Sequence, residues 1–268
     1  MKLYVMDAFS AQLFGGNQAG VALPERELPD ETMRQIAAEL KHSETAFVRV
    51  EDDGSVSLRY FTPAGEVELC GHATVASFAL LRQLGRIGDG DVTAHTKAGE
   101  LSVTVQGGTV WMDMAKPRLL RELGEDEWDA FYEAYGLTTA DRPEGLTPAI
   151  VSTGLADVML PVRDHDTLMR AVQNEAAVTA LSKKYDVTGV HMFCLGDGCT
   201  AYCSNYAPLY DIPEECATGT SNGALTYYLY LRGIVQPGQE NVFLQGEHMN
   251  RPSVGGSAVM SMQCEVKI

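Results

Sequence analysis

The sequence predicts an α+β fold of two pseudo-symmetric lobes, each a mixed β-sheet curled around one central helix. Three observations carry this. A short motif occurs twice, as Glu68-Leu69-Cys70-Gly71-His72-Ala73-Thr74 and as Glu214-Glu215-Cys216-Ala217-Thr218-Gly219-Thr220. In both copies an acidic residue stands two positions before a cysteine, and a turn of small, hydroxyl-bearing residues follows. The cysteines lie 146 residues apart (216 minus 70) in a chain of 268, so each half carries one copy. Each copy then runs into a segment that is apolar on most sides, through Val75, Ala76, Phe78, Ala79, Leu80 and Leu81 in one and Ala224, Leu225, Tyr227, Tyr228 and Leu229 in the other. Helices of that kind are buried rather than laid on a surface, and a sheet curled around each one buries it.

Strand-like segments flank both copies. Residues 3–6 form a short apolar opening strand, followed by a Gly15-Gly16 turn and a second apolar stretch at 19–23. Asp30 is placed to cap a helix reaching Leu40, with Met33, Ile36, Ala37 and Leu40 at helical spacing. Segments 45–50 and 55–61 read as strands, which puts Glu44 at a helix-to-strand junction. Leu101, Val103 and Val105 alternate up to Gly107-Gly108, and Val110, Met112 and Met114 alternate after it, a hairpin signal. Lys116-Pro117 ends that strand, and the acidic stretch 122–129 leads into a helix ending near Gly136. The lobe boundary is therefore placed at 118/119, giving an N-terminal lobe of 1–118 and a C-terminal lobe of 119–256. Within the latter, 149–153, 158–162, 190–195 and 200–203 read as strands, and Asp166 as the cap of a partly helical segment reaching Tyr185. The stretch 257–268 alternates like a strand.

Composition narrows the function classes. A hydrophobic fraction of 45% and a charged fraction of 21% are ordinary for a globular protein. The net charge of −16 argues against nucleic-acid and anionic-membrane partners. No basic, apolar leader opens the chain and no segment has bilayer-spanning length, so a cytoplasmic location is the default expectation. Six cysteines there are expected to stay reduced. The C-x4-C-x3-C spacing of Cys194, Cys199 and Cys203 matches neither zinc ribbons nor iron–sulfur runs. Histidines 42, 95, 165, 191 and 248 show no ligand spacing, and there is no Walker loop or dinucleotide fingerprint. No metal and no cofactor are expected.

The repeated turns suit one kind of chemistry. The first turn of a helix offers unpaired N–H groups and a partial positive charge, which can hold a substrate carboxylate and activate a thiol. Gly71 and Gly219 let a ligand approach the backbone. Removing a proton from the carbon beside a carboxylate needs the developing enediolate charge to be stabilised, and the same N–H groups serve that purpose. Two thiols, Cys70 and Cys216, can then act as base and acid on opposite faces of one carbon. The bland alternative is that both cysteines are small buried hydrophobes. His72, just inside a helix start, is expected to be a neutral hydrogen-bonding partner.

Residues 4–22 (with Asp7-Ala8-Phe9 and Gly15-Gly16-Asn17), Ser43-Glu44-Thr45-Ala46-Phe47, Arg59-Tyr60-Phe61-Thr62-Pro63, Glu66-Val67-Glu68-Leu69-Cys70-Gly71-His72-Ala73-Thr74 and Ile212-Pro213-Glu214-Glu215-Cys216-Ala217-Thr218-Gly219 together resemble the PhzF-like (phenazine biosynthesis) isomerase family. The resemblance implies the diaminopimelate epimerase fold, with 257–268 crossing back to complete the N-terminal lobe, the active site in the cleft between the lobes, and a homodimer. It matches Glu44 to the family's acid/base carboxylate, His72 to its histidine, Glu215 to a position usually held by aspartate, Thr220 to a nearby hydroxyl and Asn17 to a polar substrate contact. Cys216 departs from the pattern, which has proline there. With Cys70 it is similar instead to the two-thiol pattern of diaminopimelate epimerase and proline racemase.

The first expectation is thus a cofactor-independent racemase or epimerase acting at the carbon alpha to a carboxylate of a small amino acid or derivative. Cys70 and Cys216 would be acid and base, and Gly71, His72, Thr218, Gly219 and Thr220 would hold the carboxylate. The alternatives are a PhzF-type isomerase using Glu44 on an unsaturated cyclic acid, with His72 and Glu215 as helpers, and a protein that binds a small carboxylate without chemistry.

Overall fold

The structure, a computed structural model of the chain, describes residues 1–249 and 258–266. It divides into two compact units, Met1–Asp113 with Gly255–Ile268, and Met114–Val254. The division falls at 113/114, and Met114 and Ala115 lie beside Gly223 and Gly154 of the second unit.

The first unit holds β1 (Lys2–Ala8), β2 (Asn17–Leu23), α1 (Asp30–Leu40), β3 (Thr45–Val50), β4 (Val56–Phe61), β5 (Glu66–Val67), α2 (Gly71–Gln83), β6 (Gly90–Thr96), β7 (Gly99–Gln106) and β8 (Thr109–Met112). Its sheet runs in the order β16-β1-β2-β3-β4-β6-β7-β8, where β16 is Ala258–Glu265 and β5 pairs with β4. The β2/β3 and β4/β6 pairs are parallel and the others antiparallel, so the sheet is mixed. Helix α2 packs against β16, β1, β2 and β3 and also against β7 and β8. One helix reaches both ends of the strand order only if the sheet curls around it. Burial explains why it sits there: every residue from His72 to Leu81 is buried, and they join Tyr4, Met6, Val21, Val48, Leu58, Tyr60 and Val103 in one core. The opposite face packs Leu3, Ala22, Phe47 and Phe61 against Met33 and Ala37 of α1.

The β7/β8 hairpin turns on Gly107 and Gly108, with φ of 59° and 94°, the left-handed pair that a two-residue turn between right-twisted strands requires. Met114 lies outside the hairpin, which ends at Met112. Asp30 does not cap α1. Pro29 precedes the helix, and Asp30 is its first residue, 2.9 Å from Arg59 in an ion pair to β4. The strand expected at 257–268 is β16; residues 257, 267 and 268 lie outside the described residues.

The second unit holds β9 (Arg118–Glu122), α3 (Glu125–Glu133), β10 (Ala149–Ser152), β11 (Ala156–Pro161), α4 (His165–Met169), α5 (Glu175–Tyr185), β12 (Gly189–Leu195), β13 (Ala201–Ala207), β14 (Ile212–Glu215), α6 (Gly219–Leu231) and β15 (Phe243–Gln245). Its sheet runs β14-β13-β12-β11-β10-β9, and β15 joins β13 in parallel. Strand alternation splits the core in two. Ala149, Val151, Met159 and Phe193 face Ala224, Leu225, Tyr228 and Leu229 of α6, while Ile150, Val158, Leu160 and Met192 face Trp128, Phe131 and Tyr132 of α3 and Leu168 and Val178 of α4 and α5. The segment reaching Tyr185 is two helices rather than one. Its first cap is Asp164, whose carboxylate accepts the Thr167 N–H at 2.8 Å, not Asp166, and its second is Asn174.

Candidate active site

In the first unit, the junction before β3 and the start of α2 bring three chemically active side chains together. Cys70 is the N-cap of α2, with extended φ and ψ of −141° and 112°. Its carbonyl accepts the Thr74 N–H at 3.0 Å and the Thr74 hydroxyl at 2.7 Å. Because that hydroxyl gives its hydrogen to Cys70, the buried Tyr60 hydroxyl must donate to Thr74 Oγ1, 2.6 Å away. The thiol-bearing turn is thereby tied to β4.

His72 Nε2 lies 3.4 Å from Glu44 Oε2, and Cys70 Sγ lies 3.4 Å from His72 Nδ1. Burial lowers the His72 pKa; Glu44 and a hydrogen bond to the Gln18 main chain pull it back up. The imidazole is therefore neutral at pH 7, as the sequence reading expects, with desolvation rather than the helix dipole as the leading cause. Donor atoms of Glu44, Cys70 and His72 all lie within 4.8 Å of one another, a spacing that could close around a divalent cation. Spacing along the chain could not reveal this group, because its members come from different elements.

Asn17 is buried at the start of β2. The loop before it is held by an Asp7 carboxylate that accepts the Phe14 N–H at 2.9 Å. Phe9 and Phe14 take positive φ of 60° and 65°, a backbone arrangement costing about 1 kcal/mol or more each. Gly16, at φ 58°, has no room for a side chain: a Cβ there would stand 2.0 Å from the Ala8 carbonyl oxygen.

In the second unit the repeated turn has a different anatomy. Cys216 does not open α6. The N-cap is Thr218, with φ and ψ of −131° and 97° close to those of Cys70, and the helix begins at Gly219. The structural counterpart of the Cys70 thiol is thus the Thr218 hydroxyl, 148 positions on (218 minus 70), and Cys216 lies buried two residues upstream. Thr218 Oγ1 donates to Glu215 Oε2 at 2.5 Å, closing the turn around Cys216. Thr220 is fixed through its carbonyl, which accepts the Thr153 hydroxyl at 2.8 Å. Ser221 donates to the buried Asp157 carboxylate at 2.6 Å, and burial raises the Asp157 pKa.

The structure therefore gathers Glu44, Cys70 and His72, with Gly71 in the same helix start, and it gathers Glu215, Cys216, Thr218, Gly219 and Thr220 in the second turn. Sequence reasoning missed the groups behind that turn: Asp157, His191, Asn205, Asn222 and Gln245. Helical spacing from Thr218 to Asn222 could have flagged one of them; the others depend on strand register.

Residues 6–264 match the family model described as "Phenazine biosynthesis-like protein" (PhzC-PhzF). The chain is 32% identical over 255 residues to the "Uncharacterized isomerase YddE" of Escherichia coli (strain K12), a match covering 93% of this chain and 86% of that one. Among solved structures, a phenazine biosynthesis protein of the PhzF family from Bacillus anthracis superposes with a TM-score of 0.89 at 25% identity, covering 100% of this chain and 99% of that one. A hydroxyproline epimerase from Agrobacterium vitis shares the fold, with a TM-score of 0.60 at 14% identity over 99% of this chain and 90% of that one.

Proposed function

Because the chain belongs to the phenazine biosynthesis-like family, we propose that it is an isomerase that moves a proton on a carbon beside, or conjugated to, the carboxylate of a small substrate. The observation that carries this is the Glu44–His72–Cys70 group at the start of a helix buried from His72 to Leu81. A carboxylate within 3.4 Å of a neutral imidazole can take up a proton and give it back while the ring holds its orientation. The first turn of a helix has N–H groups without intrahelical partners, suited to stabilising the charge that develops when the proton leaves. In this reading no group beyond the protein's own side chains is needed.

Two variants separate the members of the group. In deuterated water, a panel of small amino acids and unsaturated cyclic acids is screened for incorporation of deuterium. Glu44→Gln is expected to lower exchange about 10²-fold or more, the usual worth of a positioned acid/base. Cys70→Ser is expected to lower it less, since the serine still caps α2. Full exchange in Glu44→Gln would remove the carboxylate from the mechanism.

The second reading is a racemase or epimerase in which Cys70 and Cys216 are the two acid/base groups. What favours it is that each unit carries a buried thiol, one at the N-cap of α2 and one in the turn before α6. Against it stands the position of Cys216, since the residue equivalent to Cys70 is Thr218. Cys216→Ala retaining full exchange would eliminate this reading.

A further inference from the structure

The polar residues behind the second turn form one continuous chain whose members come from four strands and a helix. His191 on β12 lies 3.1 Å from Asn222 Oδ1 through Nε2, and 3.0 Å from Asn205 Oδ1 on β13 through Nδ1. Asn222 Nδ2 donates to Gln245 Oε1 at 3.0 Å. Gln245 on β15 donates through Nε2 to the Glu215 carbonyl on β14 at 2.7 Å and to Thr218 Oγ1 at 3.1 Å, and its Oε1 accepts the Thr218 N–H at 3.3 Å. His191, Asn205 and Gln245 are essentially fully buried.

The direction of every link from Asn222 to Glu215 is forced. The Glu215 carbonyl can only accept, so the Gln245 amide turns its NH2 there and its oxygen toward Asn222 and the Thr218 N–H. Asn222 must then give its NH2 to Gln245, which leaves its oxygen facing His191 and requires the proton on Nε2. Thr218, having accepted from Gln245, gives its own hydrogen to Glu215 Oε2. Burial holds His191 neutral, with its pKa pulled down to about 4. Nδ1 is then a bare acceptor, which requires the Asn205 amide to be turned over so that its nitrogen, in place of Oδ1, stands at the 3.0 Å contact.

We propose that His191 is a positioning residue: as the Nε2–H imidazole it heads a one-way donor chain, from His191 to Asn222 to Gln245 to Thr218, that ends on the Glu215 carboxylate and fixes the turn carrying Cys216. In a low-dielectric interior each bond of such a chain polarises the next, so all of its donors reinforce the last one. The proposal rests on the reading of this turn as part of the isomerase site, but the chain itself is testable without a substrate.

The first measurement is a long-range proton–nitrogen spectrum of protein labelled with nitrogen-15 in histidine. His191 is expected to show a protonated Nε2 and a bare Nδ1 from pH 8 to pH 5; an imidazolium or an Nδ1–H ring would overturn the chain's direction. Next, the Thr218 backbone N–H and the Gln245 side-chain NH2 signals are followed in His191→Leu and His191→Gln. The leucine variant should shift both and the glutamine variant, which restores a donor, should return them; unmoved signals in His191→Leu contradict the coupling. If circular dichroism shows that His191→Leu does not fold, Asn222→Asp, which cannot donate to Gln245, replaces it.

On a substrate found by deuterium exchange, His191→Leu should lower kcat by about 10²-fold with KM little changed, the cost of a small displacement at a reacting group, and His191→Gln should recover most of it. A kcat unchanged in His191→Leu, with the signals shifted as expected, overturns the positioning role. Absence of exchange in the wild-type protein would instead count against the isomerase reading and leave the chain to be judged by the spectra.

Discussion

At the scale of single residues, the candidate site depends on side chains whose hydrogens have no alternative destination. Tyr60, Thr74 and the Cys70 carbonyl form a buried relay in which Tyr60 donates to Thr74 and Thr74 to Cys70. Thr74→Val removes the acceptor and strands the Tyr60 hydroxyl in the core, an expected loss of about 2 to 3 kcal/mol; Tyr60→Phe leaves Thr74 satisfied by Cys70 and should cost about 1 kcal/mol. Urea denaturation of the two variants checks the order, and an equal or reversed order would contradict the assigned directions. His72 and Glu44 differ in how far they could be read from the chain. Both stand in the family pattern, and the helix start predicts a neutral His72, although burial is the leading cause of its lowered pKa. Their proximity to Cys70 was not legible, since it depends on the α1–β3 junction and α2 meeting across the sheet. Cys216 shows the opposite failure. Two acidic-x-Cys motifs aligned by eye set it equivalent to Cys70, whereas the backbone aligns Thr218 there, because the helix begins at the glycine of Thr218-Gly219 just as it begins at the glycine of Cys70-Gly71.

At the scale of elements, long apolar and alternating segments declared themselves and their ends did not. Helix α2 was legible because ten consecutive buried residues leave it nowhere else to go, and the β7/β8 hairpin because Gly107-Gly108 is a turn with a stated dihedral requirement. Strand β6, in which only Ala94 is fully buried, and β9, with mostly exposed residues, gave no pattern to read. Caps were misplaced where several acidic residues compete. Asp164 rather than Asp166 takes the Thr167 N–H, so Asp164→Ala should lower stability by about 1 kcal/mol and Asp166→Ala by much less; thermal denaturation of the pair decides between them. In the hairpin, Gly107→Asn suits the left-handed φ of 59° and should be close to neutral, while Gly108→Val, at φ 94°, should cost about 1 kcal/mol or more. A stable Gly108→Val protein would mean that the turn is not of this type.

At the scale of the whole molecule, buried histidines set how stability responds to acid. His191, with its pKa at about 4, and His72, shifted down by burial, are neutral when folded, whereas in the unfolded chain both titrate near 6.5. Between those values the unfolded state binds more protons, so stability is fully present above about pH 6.5 and falls as pH drops. For His191 the loss reaches about 3 kcal/mol by pH 4. His248 works in the other direction: its bond to Glu214 raises its pKa, so its contribution is present below about 6.5 and disappears as pH rises through the folded value. Asp157, raised by burial, likewise favours the folded state on the acid side. The histidine pair is expected to dominate between pH 7.5 and 5, with a falling Tm that is shallower in His191→Gln; a Tm that climbs over that range would contradict the burial argument. Function rests on a narrower claim, that the proton is carried by the Glu44 group rather than by a pair of thiols. The measurement that tests it most directly is deuterium incorporation into one identified substrate by the wild-type protein, Glu44→Gln and Cys216→Ala side by side. The account predicts that Glu44→Gln loses about 10²-fold or more while Cys216→Ala keeps most of its rate; a Glu44→Gln protein that exchanges normally beside an inactive Cys216→Ala would contradict it.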